Sequence, residues 1–149
     1  MYNHKFLFEP GRWIGEGRIT FSASPDQVHF YTKWIIEKEH DGFLKVSQEV
    51  QLQGIEEEVH NYFHVNNIAE KTFGILLENE MVGKVQGKGL IEEDKLAWEF
   101  KSSEGFEGFE IYELEENGDY MLHAEYLSGD QFRTIIDGRI WFKENPTVL

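Results

Sequence analysis

The chain has 149 residues, with 14 Lys and Arg against 28 Asp and Glu, and a net charge of -14 with its six His neutral. That length suits one domain over 1-149 with one core, and the acidity excludes the basic face that nucleic acids and anionic membranes require. Cys is absent, which removes disulfides, thiolate metal sites and Cys nucleophiles.

The 12 Phe, 6 Tyr and 4 Trp, with 14 Gly and only 3 Pro, fit strands joined by tight turns. A hydrophobic content of 40% is enough to fill a core and argues against disorder. The opening Met1-Tyr2-Asn3-His4-Lys5 has no basic-then-apolar signal pattern, and no apolar run approaches the ~18 residues of a membrane span. A cytoplasmic location is expected.

From Gly11 onward, alternating runs of roughly eight to twelve residues are separated by turn clusters. These clusters are Ser24-Pro25-Asp26, His40-Asp41-Gly42, Asn66-Asn67, Asn79-Glu80, Glu92-Glu93-Asp94, Ser102 to Gly105, Glu116-Asn117-Gly118 and Ser128-Gly129-Asp130. The spacing predicts about ten antiparallel strands in a meander. Ile55 to His64 carries apolar residues at helix spacing, but it has no capping side chain at its start and is poor in helix formers, so it reads as a strand.

Pairing must keep one face apolar, which fixes expected registers. The hairpin near His40 aligns Trp34 with Val46, Phe30 with Val50 and Thr32 with Gln48. The turn at Glu92 to Lys95 sets Gly89 opposite Trp98 and Gly87 opposite Phe100, small residues facing large rings as a tapering interior requires. In Phe106 to Glu115 the even residues compete with Phe109 and Ile111 for the inside, and a bulge is expected. The last hairpin aligns Tyr126 with Phe132 and Leu122 with Ile136, with Glu125 opposite Arg133 on the outer face. Ten such strands with no helix to cover the apolar face must close on themselves. The expected fold is all-β: a single closed antiparallel up-and-down barrel of about ten strands, with room for a ligand.

Gly11-Arg12-Trp13 at the start of the first strand, with Arg139 in the late segment Gly138-Arg139-Ile140-Trp141, resembles the calycin superfamily of lipocalins and fatty-acid-binding proteins. The resemblance implies a lipocalin-like barrel in which Arg139 crosses the Trp13 ring, a cation-π contact that closes one end. The longer pattern Gly11-x-Trp13-x-Gly15-x-Gly17 is similar to nitrobindin-like bacterial members, which ligate haem through a late His. Here no His follows His123, and His123 falls on the outer face, so haem is not expected and no cofactor is implied.

No catalytic motif emerges. His60 and His64 on a strand lie about 13 Å apart at ~3.3 Å per residue, too far to share an ion, and no metal site is expected. Glu113, Glu115, Glu116 and Asp119 lack the pattern of a calcium loop. No Ser lies in a Gly-x-Ser-x-Gly context, and Gly83, Gly87 and Gly89 precede no phosphate-binding Lys.

Polar residues expected to face inward carry the functional expectation: Thr32, Gln48, Asn61, Glu110, Tyr112, Tyr126 and Thr134. Unpartnered buried polar groups each cost on the order of 1 to 3 kcal/mol, so their number favours a ligand-filled or solvated cavity. The expected partner is a small hydrophobic or aromatic molecule. Phe30, Trp34, Trp98, Phe100 and Phe132 would line the cavity, and Thr32, Gln48, Tyr112 and Tyr126 would orient the ligand's polar atoms. Two other functions fit the same residues. One is a cofactor-free lyase or isomerase with Glu110 as acid/base beside Tyr112 or Tyr126, and the other is a protein-binding barrel presenting Phe109 and Ile111 outward. The oligomeric state is not legible.

Overall fold

The computed structural model describes residues 4–128 and 132–144. Ten strands follow one another: β1 (Gly11–Phe21), β2 (Gln27–Ile36), β3 (Leu44–Leu52), β4 (Glu58–Asn66), β5 (Thr72–Asn79), β6 (Gly83–Glu92), β7 (Lys95–Lys101), β8 (Glu107–Leu114), β9 (Tyr120–Leu127) and β10 (Arg133–Glu144). Each pairs antiparallel with its neighbours in sequence, and β10 returns to β1, closing the barrel. Among the described residues no helix is long and apolar enough to cross a membrane.

Alternation decides which side chains enter. Along β2, Phe30, Thr32, Trp34 and Ile36 are buried while Tyr31, Lys33 and Ile35 are exposed, and along β7 Leu96, Trp98 and Phe100 are buried. The segment Ile55 to His64 contributes to β4, whose Phe63 and Val65 point inward.

The β6–β7 register is as expected, with Gly89 opposite Trp98 and Gly87 opposite Phe100. Two hairpins differ from expectation by two residues. Trp34 pairs with Gln48 rather than Val46, and Tyr126 pairs with Thr134 rather than Phe132. A slip of two preserves side-chain parity, so the apolar face could not distinguish the two registers. The connections distinguish them instead: His40 bridges Phe43, and Ser128 N–H bonds the Phe132 carbonyl at 3.0 Å. The Gly129 and Asp130 of the expected tip lie outside the described residues. The bulge expected in Phe106 to Glu115 is also corrected, because β8 pairs without interruption on both sides. Its even residues win the inside; the irregularity falls between Arg12 and Trp13, where β1 meets β10.

Gly17 explains that seam. A Cβ there would lie 2.1 Å from the Asp137 carbonyl oxygen and 2.6 Å from the Gly138 Cα, so only glycine lets β1 and β10 approach this closely.

The barrel ends differ. At the end where β1 begins, the segment before it folds back as a plug: Phe6 and Leu7 are fully buried, and Phe6 packs on Trp13, Trp34, Tyr112 and Tyr120 with ring centroids 5.0 to 5.5 Å apart. His4 seals this end. Its Nε2 donates to the Glu92 carbonyl, which only accepts, at 2.6 Å, and its Nδ1 shares a hydrogen bond with Tyr120 Oη at 2.7 Å. The other end remains open.

Candidate functional site

Two polar arrays occupy the interior. On β2 to β5, Thr32 Oγ1 donates to the Glu49 carbonyl, Gln48 Nε2 to Thr32 Oγ1 at 3.1 Å, Asn61 Nδ2 to Gln48 Oε1 at 3.0 Å, and Asn79 Nδ2 to Asn61 Oδ1 at 2.9 Å. Asn79 Oδ1 then accepts from the backbone N–H of Met81 and Val82, which ends the ladder at the open rim. These amides satisfy one another, so their burial needs no ligand.

The second array is different. Glu110 on β8 is 8% exposed, and its carboxyl oxygens accept hydrogen bonds from Tyr112 Oη at 2.6 Å and from Tyr126 Oη. No Lys or Arg among the described residues is buried with it. Burial raises the Glu110 carboxyl above its ordinary value, and the hydroxyls of Tyr112 and Tyr126 and the facing Trp98 indole oppose this without cancelling it. Burial and then the adjacent Glu110 charge push Tyr112 and Tyr126 well above the ordinary phenol value. The indole Nε1 of Trp34 is buried without a hydrogen-bond partner among the described residues, whereas that of Trp98, directly across from Glu110, lies close enough to favour the charged carboxyl without making a well-formed hydrogen bond.

Gly108 makes the Tyr126 contact possible. A Cβ at this inward position would sit 2.3 Å from the Tyr126 ring; without one, the ring crosses β8 and its hydroxyl reaches Glu110 two residues further on.

Above this pair a cavity of about 870 Å3 opens at the unplugged end. Its apolar wall includes Phe21, Val82, Val85, Phe106, Leu127 and Phe132, and Tyr126, Thr134 and Asn79 supply polar groups. Phe106 stacks on Tyr126 at 5.5 Å, and Phe21 lies 5.9 Å from Phe132. Met81 stands at the mouth, 87% exposed.

Of the residues expected to line a cavity, the structure brings Tyr126 and Phe132 to it. Trp34, Trp98 and Tyr112 pack below as an aromatic core, with Trp98 stacked on Tyr112 at 5.0 Å and Trp34 on Phe63 at 5.5 Å. Phe30 and Phe100 are buried beside glycines: the Phe30 ring lies against Gly17 and Gly138, and the Phe100 ring against Gly87. Thr32 and Gln48 belong to the amide ladder. Phe21, Val82, Val85 and Phe106 were not anticipated in this role, because the register alone does not say which barrel end is plugged. The triplet Phe6-Leu7-Phe8, apolar and ahead of the first strand, is the signal that would have shown it.

Trp13 is buried, 2% exposed, but Arg139 does not cross it. Ile140 points inward, so alternation turns Arg139 outward, where it binds Asp119 at 2.7 Å and Glu115 at 3.4 Å. Phe6, Tyr120 and Phe142 pack on Trp13 instead. His123 lies on the outer face between Asp137 at 2.6 Å and Glu125 at 2.9 Å, and both contacts raise its imidazole above the usual value. Glu125 also binds Arg133, the ion pair expected from sequence, although the two are diagonal neighbours rather than opposed. Also outside, Glu49, Glu58 and His60 hold one ligand atom each within 4.8 Å of one another, while His64 stacks on Phe43.

No family model and no curated protein matches the chain. Among solved structures it is similar to the crystal structure of Rv2717c from M. tuberculosis, with a TM-score of 0.70 and 9% sequence identity, covering 90% of this chain and 92% of that one. At that identity the likeness establishes a shared barrel fold.

Proposed function

We propose that this chain is a calycin-like barrel that binds a small, largely apolar or aromatic molecule in the cavity at its open end. The observation that carries this reading is the cavity itself: about 870 Å3, with rings and aliphatic side chains along part of its wall, polar groups from Tyr126, Thr134 and Asn79, and Lys84, Ser102, Ser103, Glu104 and Ser128 completing the lining. Pockets of that size and character suit compact organic ligands. A fatty acid is disfavoured, since Glu110 beside Tyr126 is a carboxyl and, among the described residues, no buried Lys or Arg stands ready to hold a carboxylate.

Displacement of an environment-sensitive dye tests the reading. The dye should bind with one site per chain, and a neutral aromatic alcohol should displace it better than a fatty acid of similar size. Val82→Trp, which fills the mouth, and Phe132→Ala, which strips the wall, should each weaken binding about tenfold, the equivalent of roughly 1.4 kcal/mol. Unchanged dye affinity in both variants overturns the assignment.

A further inference from the structure

Within that reading, the polar groups at the cavity floor say what the ligand carries. Glu110 is a buried carboxyl held by two phenols with no buried Lys or Arg among the described residues to balance it, although buried carboxylates are ordinarily paired with a cation. Tyr126 is the member of the triad that faces the cavity. Its hydroxyl proton is committed to Glu110, so toward a ligand that reaches it the oxygen has only lone pairs to offer and accepts rather than donates. The amide at the cavity wall, Asn79, commits its oxygen to the Met81 and Val82 N–H groups and one of its two N–H donors to Asn61. The rings of Tyr126, Phe106, Phe21 and Phe132 share the lining of this cavity, Phe106 stacked on Tyr126 and Phe21 beside Phe132, and aromatic faces attract cations. The mouth carries one charge of each sign, Lys84 and Glu104, and so does not select by charge.

We propose that the cavity takes an organic ammonium: an amine on an aromatic or aliphatic body, its N–H donors directed at the Tyr126 oxygen and its charge balanced by Glu110 behind it. The inference rests on the ligand-binding reading above and adds the charge and hydrogen-bonding sense of the ligand. The ammonium completes an ion pair of which the protein supplies one half, and the aromatic wall replaces part of its hydration shell.

Three probes with a common body separate the possibilities: 2-phenylethylamine, 2-phenylethanol and phenylacetate, each competing with the bound dye near neutral pH. The ammonium should bind about tenfold tighter than the alcohol, and the carboxylate weakest. Glu110→Gln should bring the ammonium to within about twofold of the alcohol while the alcohol itself is unchanged. Tyr126→Phe keeps the ring, removes the acceptor and should erase most of the same preference, so the proposal is testable even if the Glu110 variant folds poorly. Circular dichroism of each variant checks the fold. Equal or tighter binding of the alcohol or carboxylate by the unaltered protein overturns the ammonium assignment and leaves the ligand-binding reading standing, as does full preference retained in Tyr126→Phe. Failure of all three probes and the dye to bind overturns both.

Discussion

Tyr126 reaches across the bare Gly108 to hydrogen-bond Glu110, tying β9 to β8 inside the barrel and setting a phenol between a buried carboxyl and the open cavity. The carboxyl's raised pKa makes stability depend on pH with a definite sign. The folded chain holds the Glu110 proton more tightly than the unfolded chain, whose glutamates titrate near ~4.3. Glu110 therefore leaves stability unchanged below that value and lowers it progressively as pH rises through its folded pKa. In urea unfolding from pH 4 upward, the stability of the unaltered protein relative to Glu110→Gln should fall with pH and then level. A difference that is flat, or that grows with pH, would contradict the burial argument.

Gly108 is the steric condition for that contact. Its Cβ would lie 2.3 Å from the Tyr126 ring and 2.5 Å from the Glu125 carbonyl oxygen, so Gly108→Ala should displace the ring and cost about 1 to 3 kcal/mol, as overpacking does. Because part of that cost is the clash with the ring, Gly108→Ala and Tyr126→Ala together should cost less than their sum in a double-mutant cycle. Strict additivity would place the strain wholly at the backbone.

The sequence specified parity better than register. Trp34, Gln48, Tyr126 and Thr134 all point inward as their alternation demands, yet two hairpins sit two residues from the expected pairing, since parity is blind to a slip of two and only turn geometry resolves it. The turn at Glu92 to Lys95 is short and contains no such freedom, and its register was legible. Glu110 was expected inward although Phe109 and Ile111 compete for that face in the sequence, and its partnership with Tyr126 depends on Gly108, whose role appears only once the ring is seen crossing it. Polar residues inside a barrel do not by themselves announce a cavity. Thr32, Gln48, Asn61 and Asn79 satisfy one another, whereas Glu110 borders the open space through Tyr126.

On the outer face, His123 donates from both ring nitrogens only as the imidazolium, because Asp137 and Glu125 both accept. Its raised pKa means the stabilisation is fully present below the unfolded value near ~6.5 and is lost as pH rises through the folded one. The site is exposed and the effect on stability small, so the titration itself is the better measurement. NMR titration of the His123 ring should give a pKa above ~6.5 that drops on Asp137→Asn, the shorter contact, and drops less on Glu125→Gln. An unshifted imidazole in the unaltered protein would mean that the pair at 2.6 Å does not persist in solution.

The plugged end distinguishes two physical ways of closing a barrel. A cation over Trp13 would make Arg139 the critical residue, but Arg139 is turned to Asp119 and Glu115 in solvent, where such pairs contribute ~0 to 1 kcal/mol. Phe6 instead touches Trp13, Trp34, Tyr112 and Tyr120 and is fully buried. Removing its ring leaves a void that the rigid strands around it cannot fill. Phe6→Ala should therefore cost about 3 to 5 kcal/mol in urea unfolding followed by tryptophan fluorescence. Arg139→Ala should cost no more than about 1 kcal/mol. Because Trp13 and Trp34 both report from that end, Phe6→Ala should also shift the native emission spectrum, which Arg139→Ala should leave in place. The reverse order of costs would return closure to the cation and make the plug a passenger.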